Sequence, residues 1–563
     1  MTTVKQYLAQ TLQQNGVGHI FGVPADFILE FFQYLAGTGL VAVRMNDEPQ
    51  AGFAADAYAR IRGLGVVLVT YGAGGFKVVN TSAQAFAEDS PVLVISGAPA
   101  LDEYLRGQDL LHYRIHHVVK SAEDQKTVFE QVTGRTERID DVHTARSQID
   151  NLIEFITSQK QPGYLEVPRN MWGARLPVRE SYERTPYESP KSAARQLAES
   201  LRESIRLIDA SHKPVMWIGT DVQRYGLNGL VNRIAVECNI PLCTTLFGKS
   251  AIDENESMHL GVYVGAQTAS HKYDDDAVRE YVETSDCLLI LGINFSDFNF
   301  GLGTVHFSEQ AKLINAQKNY VRLESALYQS VLLEDFLRGL AEAGLKRHEF
   351  NEPPPEVPFD LPADETPIDS DIFFGMLNPY IDDDTIVISD IGDCLFGAGK
   401  LDTSFTRFLA PGVYGSMGWS VSAAIGAKLA DSRLRPFVIV GDGAFVMGQE
   451  SSVGKLSELG FDPVIFILNN RGYATLQGAV QGEFNRMPAY SFEKITEVYG
   501  GAGFRVETVG ELKEVLEQIG RVGKRPMIVN VLLPELGKTT TLEKVTSELR
   551  KGVQRKSRAG KAE

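Results

Sequence analysis

Uninterrupted apolar runs of strand length, each closed by a glycine-bearing or polar turn, recur along the chain and constrain its fold more than any other feature. The first third contains 65-GVVLVT-70, 91-PVLVISGAP-99 and 161-QPGYLEVP-168. The middle third contains 213-KPVMWIGTD-221, 239-NIPLCTT-245 and 285-SDCLLILGINFSD-297. The last third contains 384-DTIVISDIGD-393, 437-FVIVGDG-443, 463-PVIFILNN-470 and 525-RPMIVNVLL-533. A strand without polar alternation is buried on both faces, the condition of a parallel sheet covered by crossover helices. The pattern predicts an α/β fold of parallel sheets flanked by helices. Two stretches interrupt it. One is the polar segment 178–194, and the other is the proline-rich segment 350–367, where proline suppresses regular structure. They predict three α/β domains over 1–180, 190–345 and 365–545, followed by a basic, flexible tail over 546–563.

The formal charge of −17, from 55 Lys and Arg against 72 Asp and Glu, argues against a protein that coats nucleic acid or an anionic membrane. It leaves room for a local phosphate site. No apolar run approaches the roughly 18 residues of a membrane span. The N-terminal stretch reads as an amphipathic helix, with Val4, Tyr7, Leu8 and Leu12 near one face, rather than as a cleavable signal. Cys238, Cys243, Cys287 and Cys394 are scattered and lack the spacing of a zinc site, so they read as ordinary reduced thiols. The expectation is a cytoplasmic protein with neither nucleic-acid nor membrane partners.

The chemistry-bearing pair of motifs is 441-GDG-443 and 469-NN-470, each directly after an apolar run. In a parallel sheet such strand ends line the ligand crevice. Asp442 offers a carboxylate oxygen, Asn470 an amide oxygen and Gly472 a backbone carbonyl, the hard oxygen donors that magnesium takes together with phosphate and water. Gly441 and Gly443 allow close backbone approach, and the following helix start can receive phosphate. A lone GDG would be a common turn. Asn470, 28 residues further on, leaves room for one strand–helix–strand return to the same sheet edge.

This arrangement resembles the thiamine diphosphate-dependent 2-oxo acid decarboxylase family, and the resemblance runs through nearly the whole chain. It implies a pyrimidine-binding domain, a middle domain and a diphosphate-binding domain. It also implies thiamine diphosphate and Mg2+ as cofactors, with the metal on Asp442, Asn470 and Gly472. Active sites in the family form between the first domain of one subunit and the last of another, which implies a homodimer at minimum and a homotetramer as the common assembly. The segment 389-SDIGDCLF-396 resembles the cofactor-contacting loop and places Asp390, Gly392 and Asp393 on the diphosphate side. The segment 414-YGSMG-418 resembles the loop under the folded cofactor, with the Gly415 carbonyl toward the aminopyrimidine and Met417 between its rings. Without the resemblance, Met417 reads as a core residue.

In the first third, Glu48 precedes the small-residue helix 51-AGFAADAYAR-60. Alone it reads as an acid near a helix start. The resemblance makes it the glutamate that hydrogen-bonds the pyrimidine ring and promotes the imino form of the cofactor. Asp26 could be a turn or helix-cap residue. The similarity of 21-FGVPAD-26 to the family's FGVPGD segment, with Ala25 in place of glycine, assigns it to proton transfer at the reaction centre. Thr70 and Gly72 match positions that hold the pyrimidine end. His116 and His117, preferred over His112 for their distance to 128-VFEQVT-133, resemble the double-histidine motif of the family. A neutral imidazole can donate or accept a proton near neutral pH. Metal ligation by this pair would need further clustered ligands, and none is evident in the sequence.

Where decarboxylases resembling the yeast pyruvate enzyme carry a glutamate, six residues after the metal asparagine, this chain has Leu476. The bacterial phenylpyruvate and indolepyruvate decarboxylases share leucine there, together with GDCLF and VPRNM-like segments. An apolar wall suits a bulky aromatic side chain. The expected activity is that of a carboxy-lyase converting phenylpyruvate or indolepyruvate to the aldehyde and carbon dioxide. The alternatives are a pyruvate or branched-chain 2-oxo acid decarboxylase, an acyloin-forming carboligase and a non-catalytic homologue.

Overall fold

The computed structural model describes residues 2–100, 102–103, 115–177, 187–350, 352–521 and 523–559. His112, residues 178–186 of the first interrupting segment and tail residues 560–563 lie outside them.

The apolar runs form three separate sheets. The first contains β1 (His19–Gly22), β2 (Val41–Arg44), β3 (Gly65–Val69), β4 (Val92–Ala98), β5 (Arg135–Arg138) and β6 (Gly163–Pro168), in the order β2-β1-β3-β4-β6-β5. Every neighbouring pair in it is parallel. The second contains β7 (Pro214–Ile218), β8 (Leu242–Thr244), β9 (His259–Val262), β10 (Cys287–Leu291), β11 (Lys312–Gln317), β12 (Tyr320–Leu323) and β13 (Ala326–Gln329), in the order β13-β12-β11-β10-β7-β8-β9. The third contains β14 (Thr385–Ser389), β15 (Phe408–Leu409), β16 (Arg435–Gly441), β17 (Val464–Asn469), β18 (Ala502–Val506) and β19 (Met527–Leu532), in the order β15-β14-β16-β17-β19-β18. All of its neighbours are parallel too. The first and third sheets therefore have the same strand order. In each, the order reverses beside the first strand, and in open α/β sheets ligands bind outside the carboxyl ends of strands at such a reversal. Asp26 and Thr70 follow β1 and β3. Asp390 and Asp442 follow β14 and β16.

The three α/β domains with parallel sheets flanked by helices are as expected, with two local departures. The middle sheet is not wholly parallel, because β12 and β13 return antiparallel as a hairpin edge. Short connections between β11, β12 and β13 leave no room for a crossover helix, so the strands must reverse. Nor are residues 546–559 an irregular tail. Helix α4 (Thr540–Ala559) covers those residues, and in its first half Leu542, Val545 and Leu549 recur at helical spacing and pack into the core of the third sheet.

Three further helices matter below: α1 (Glu48–Arg62), α2 (Ser420–Ala430) and α3 (Ala474–Ala479). The described chain divides into two compact units. The first contains 1–189, 414–434 and 451–459, and the second contains 190–413, 435–450 and 460–563. Within the first unit, α2 packs closely on α1. A Cβ on Gly426 would lie 1.9 Å from the Ala54 carbonyl oxygen, so only glycine permits that approach. Trp419 Nε1 donates to Asp56 (3.0 Å), which also pairs with Arg60 (2.8 Å). Burial opposes the charge on Asp56, but Arg60 and the hydrogen bonds from Arg60, Ser90 and Gln84 hold its carboxyl below the usual range. Among the described residues, no helix is long and apolar enough to cross a membrane. All four cysteines are buried and unbridged.

Candidate active site

The first unit gathers Asp26, Glu48, Thr70, Gly72, His116 and His117 around one glycine turn. Asp26 opens a 3₁₀ turn after β1, and its neighbour Phe27 is buried. His116 Nε2 lies 2.6 Å from Asp26 Oδ2, and His117 Nε2 lies 3.8 Å from Asp26 Oδ1. Thr70 Oγ1, at the end of β3, also reaches Asp26 Oδ1 (3.3 Å). The ring of His116 stacks on Phe27 at 5.0 Å. Burial pushes the Asp26 carboxyl up, but the hydrogen bonds from His116 and Phe27 and the charge of His116 bring it below its ordinary value.

The turn 70–75 organises this cluster. Gly72 has φ +60°, and a Cβ there would lie 2.0 Å from the His117 carbonyl oxygen, so glycine is required twice over. His117 itself adopts the left-handed region, with φ +69°, an uncommon conformation for a side-chain-bearing residue that recurs at functional sites. Gln125, fully buried, fixes the turn from beneath. Its Oε1 accepts from the Gly72 N–H (2.6 Å), while its Nε2 donates to Ser96 (2.7 Å) and Tyr164 (2.8 Å). Tyr164 in turn donates to Glu166 (2.6 Å), which lies 3.3 Å from Arg138. Glu48 begins α1 behind the Asp47 cap and is only 15% exposed. Lys77 Nζ donates to its Oε2 (2.7 Å) and also contacts Asp47. Gly415 (φ +73°) and half-buried Met417 lie in the segment before α2, within the same unit.

The second unit holds the other set. Asp442, 2% exposed, follows β16 and is joined by residues from the end of β17. The Gly443 N–H donates to Asp442 Oδ1 (2.7 Å), and the Gly472 N–H lies within reach of both Asp442 Oδ2 (3.1 Å) and Asn470 Oδ1 (3.3 Å). Asn470 is fixed by a bond from its Nδ2 to the Gly537 carbonyl (2.8 Å). Burial pushes the Asp442 carboxyl up to about 6, and the opposing hydrogen bonds come from backbone amides of Gly443, Arg471 and Gly472. Gly441 ends β16, and Gly392 caps the short helix after β14. Asp390 is buried, with Oδ1 accepting from the Ile391 N–H (3.0 Å). Asp393 turns toward the start of α4, where the Thr539 amide (2.9 Å) and hydroxyl (2.7 Å) donate to it. Leu476 sits on α3 and is 55% exposed. Helix α4 packs against α3, where Arg550 donates to the Gly478 carbonyl (2.8 Å).

Lys77, Gln125 and Thr539 touch these residues without being singled out in the sequence. Each acts through a partner far along the chain or around a turn, and no local motif marks it.

The N-terminal TPP binding domain of thiamine pyrophosphate enzymes matches residues 2–127, their central domain matches 201–332, and their C-terminal TPP binding domain matches 390–531. Over 539 residues the chain is 33% identical to an indole-3-pyruvate decarboxylase of Azospirillum brasilense, covering 94% of each chain. It is 28% identical to a pyruvate decarboxylase of Hanseniaspora uvarum, covering 96% of this chain and 97% of that one. It is 27% identical to an alpha-keto-acid decarboxylase of Mycobacterium leprae, covering 97% and 95%. With a match in each third and a relative 33% identical along nearly its whole length, the chain belongs to the thiamine diphosphate-dependent 2-oxo acid decarboxylases, lyases that split a 2-oxo acid without oxidation into an aldehyde and carbon dioxide.

Proposed function

We propose that the substrate is an aromatic 2-oxo acid, phenylpyruvate or indolepyruvate, and that Mg2+ on Asp442, Asn470 and the Gly472 carbonyl anchors the cofactor diphosphate. The residues fit such an ion. Asp442 is a buried carboxylate lifted by desolvation and balanced by backbone amides rather than by a cationic side chain. Asn470 Oδ1 is beside it, and both are hard oxygen donors. Thiamine diphosphate, when bound, supplies the electron sink for the pair left as carbon dioxide departs. The protein contributes orientation, water exclusion and proton handling. Glu48 shares a proton with the pyrimidine ring, whose other contacts we assign to Thr70, Gly72, Gly415 and Met417. Gly441, Gly443, Asp390, Gly392 and Asp393 frame the diphosphate side. Asp26 Oδ2 and His116 Nε2, with His117 adjacent, hold the proton that the product carbon receives. The working assembly is a homodimer or homotetramer, to be checked by light scattering.

Leu476 carries the substrate assignment: a largely exposed apolar side chain follows the Asp442–Asn470 cluster where a small, polar substrate would favour a polar group. The name of the Azospirillum relative points the same way. The test is a panel of 2-oxo acids with thiamine diphosphate and Mg2+, reading aldehyde and acyloin together. A kcat/KM for indolepyruvate or phenylpyruvate at least about tenfold above that for pyruvate is expected, the scale that a shaped apolar pocket can give. Preference for pyruvate would overturn the assignment. Glu48→Gln should reduce turnover sharply while leaving Mg2+ affinity in place.

A further inference from the structure

Asp26, His116 and His117 are the one group of three metal-capable side chains found among the described residues, with their ligand atoms all within 4.8 Å of one another. The third ligand missing from the sequence pattern is supplied by the fold, which brings Asp26 to a histidine pair 90 residues away. We propose that these three residues form a site for a borderline divalent transition-metal ion, above all Zn2+, and that an ion held there stops turnover.

The two imidazoles face different oxygens of one carboxylate, with Nε2 of His116 at Oδ2 and Nε2 of His117 at Oδ1. Neighbouring residues on an extended chain point to opposite sides. The left-handed backbone of His117 cancels that divergence and brings the ring centroids to 4.9 Å. Stacking on Phe27 fixes the His116 ring, and Thr70 steadies the carboxylate. Tetrahedral zinc with bonds of about 2.0–2.1 Å separates its ligand atoms by roughly 3.3 Å. The ligand atoms of the cluster all lie within 4.8 Å of one another, so no pair has to move by more than about 1.5 Å to reach that spacing. The side chain of His116 is 60% exposed, so an ion can enter without rearrangement of the fold.

Ligand chemistry separates this site from the proposed magnesium site. Two imidazole nitrogens and one carboxylate suit zinc, copper or cobalt, whereas magnesium demands oxygen donors. Excess Mg2+ should therefore fill the Asp442 site without competing here. Coordination occupies the lone pairs of Nε2 and the carboxylate that would otherwise accept a proton. Binding stands on the three side chains alone, whereas its effect on turnover rests on the proton-transfer role proposed above.

The experiment uses the untagged full chain. Zn2+ is titrated in competition with a chromophoric chelator, and Cu2+ is followed by electron paramagnetic resonance. One site per chain is expected, with splitting from two nitrogens that falls to one in His116→Asn or His117→Asn. Asp26→Asn should weaken Zn2+ by at least about tenfold, the loss that even an outer partner of a ligand can cause. His143→Asn, outside the cluster, should change nothing. In the holoenzyme, Zn2+ should inhibit over the same concentration range, a chelator should restore activity, and added Mg2+ should not. Affinity and splitting unchanged in all three ligand variants would overturn the site. Binding without inhibition would overturn its effect on turnover. A holoenzyme inactive toward every 2-oxo acid before zinc is added would instead defeat the catalytic roles and leave the metal site standing.

Discussion

At the scale of single residues, the carboxylate of Glu48 is held by Lys77 at 2.7 Å, so any other hydrogen bond through that oxygen must compete with an ammonium group. Half-exposed ion pairs of this kind are worth about 0.2–1 kcal/mol. Lys77→Gln should therefore tighten thiamine diphosphate binding by up to about fivefold, measured by apoenzyme reconstitution. Weaker binding would show that Lys77 serves the cofactor directly. Glu166 sets a second expectation. Burial pushes its carboxyl up to about 7, against the pull of Arg138 and Tyr164. An unfolded glutamate titrates near 4.3, so the folded chain holds an extra proton between about pH 4.3 and 7. Its contribution to stability is full below that window and is lost as pH rises through 7, by at most about 4 kcal/mol. Glu166→Gln should reduce the fall in thermal midpoint between pH 5 and 8. An unchanged slope would place the sensitivity elsewhere.

At the scale of elements, the turn 70–75 is a template and Gln125 is its support. Gln125→Met strands the Gly72 N–H and leaves Tyr164 short of a donor, at roughly 1–3 kcal/mol for each buried group. The displaced turn should lower kcat by about ten- to a hundredfold, the scale of an ångström's misplacement. Gln125→Glu, which keeps an acceptor for Gly72, should recover part of it. A wild-type kcat in Gln125→Met would remove the turn's positioning role. Such supports are poorly legible in sequence because a glutamine on a short helix carries no pattern, and its partners come from β4, β6 and the turn. The strands were legible, since continuous burial leaves continuous apolar runs. The GDG and NN motifs were legible because each directly follows such a run. Helix α4 was obscured by its basic, small-residue composition, although Leu542, Val545 and Leu549 carry its period. The Asp26–histidine cluster was legible residue by residue but not as a cluster, because only the strand order brings 26 and 116 together.

At the scale of the molecule, the identical strand order of the first and third sheets gives each a reversal beside its first strand, and Asp26, Thr70, Asp390 and Asp442 follow the strands at those reversals. The two compact units should unfold in more than one calorimetric step, since chains of this size and division depart from two-state behaviour. The shift caused by Glu166→Gln should fall on one step only. The first unit is assembled from three stretches of chain, and α1 is covered by α2 from beyond residue 414. A fragment of residues 1–189 should accordingly bind a hydrophobic dye and aggregate, while the full chain does not. A soluble, dye-silent fragment would show that α1 needs no cover. The same discontinuity governs biosynthesis. At roughly 5–20 residues per second, α1 leaves the ribosome about 20–75 seconds before α2 exists to cover it. During that interval the nascent chain must keep its small-residue face from other proteins, so slow translation or a scarcity of chaperones should limit the yield of this enzyme before any defect in its chemistry does.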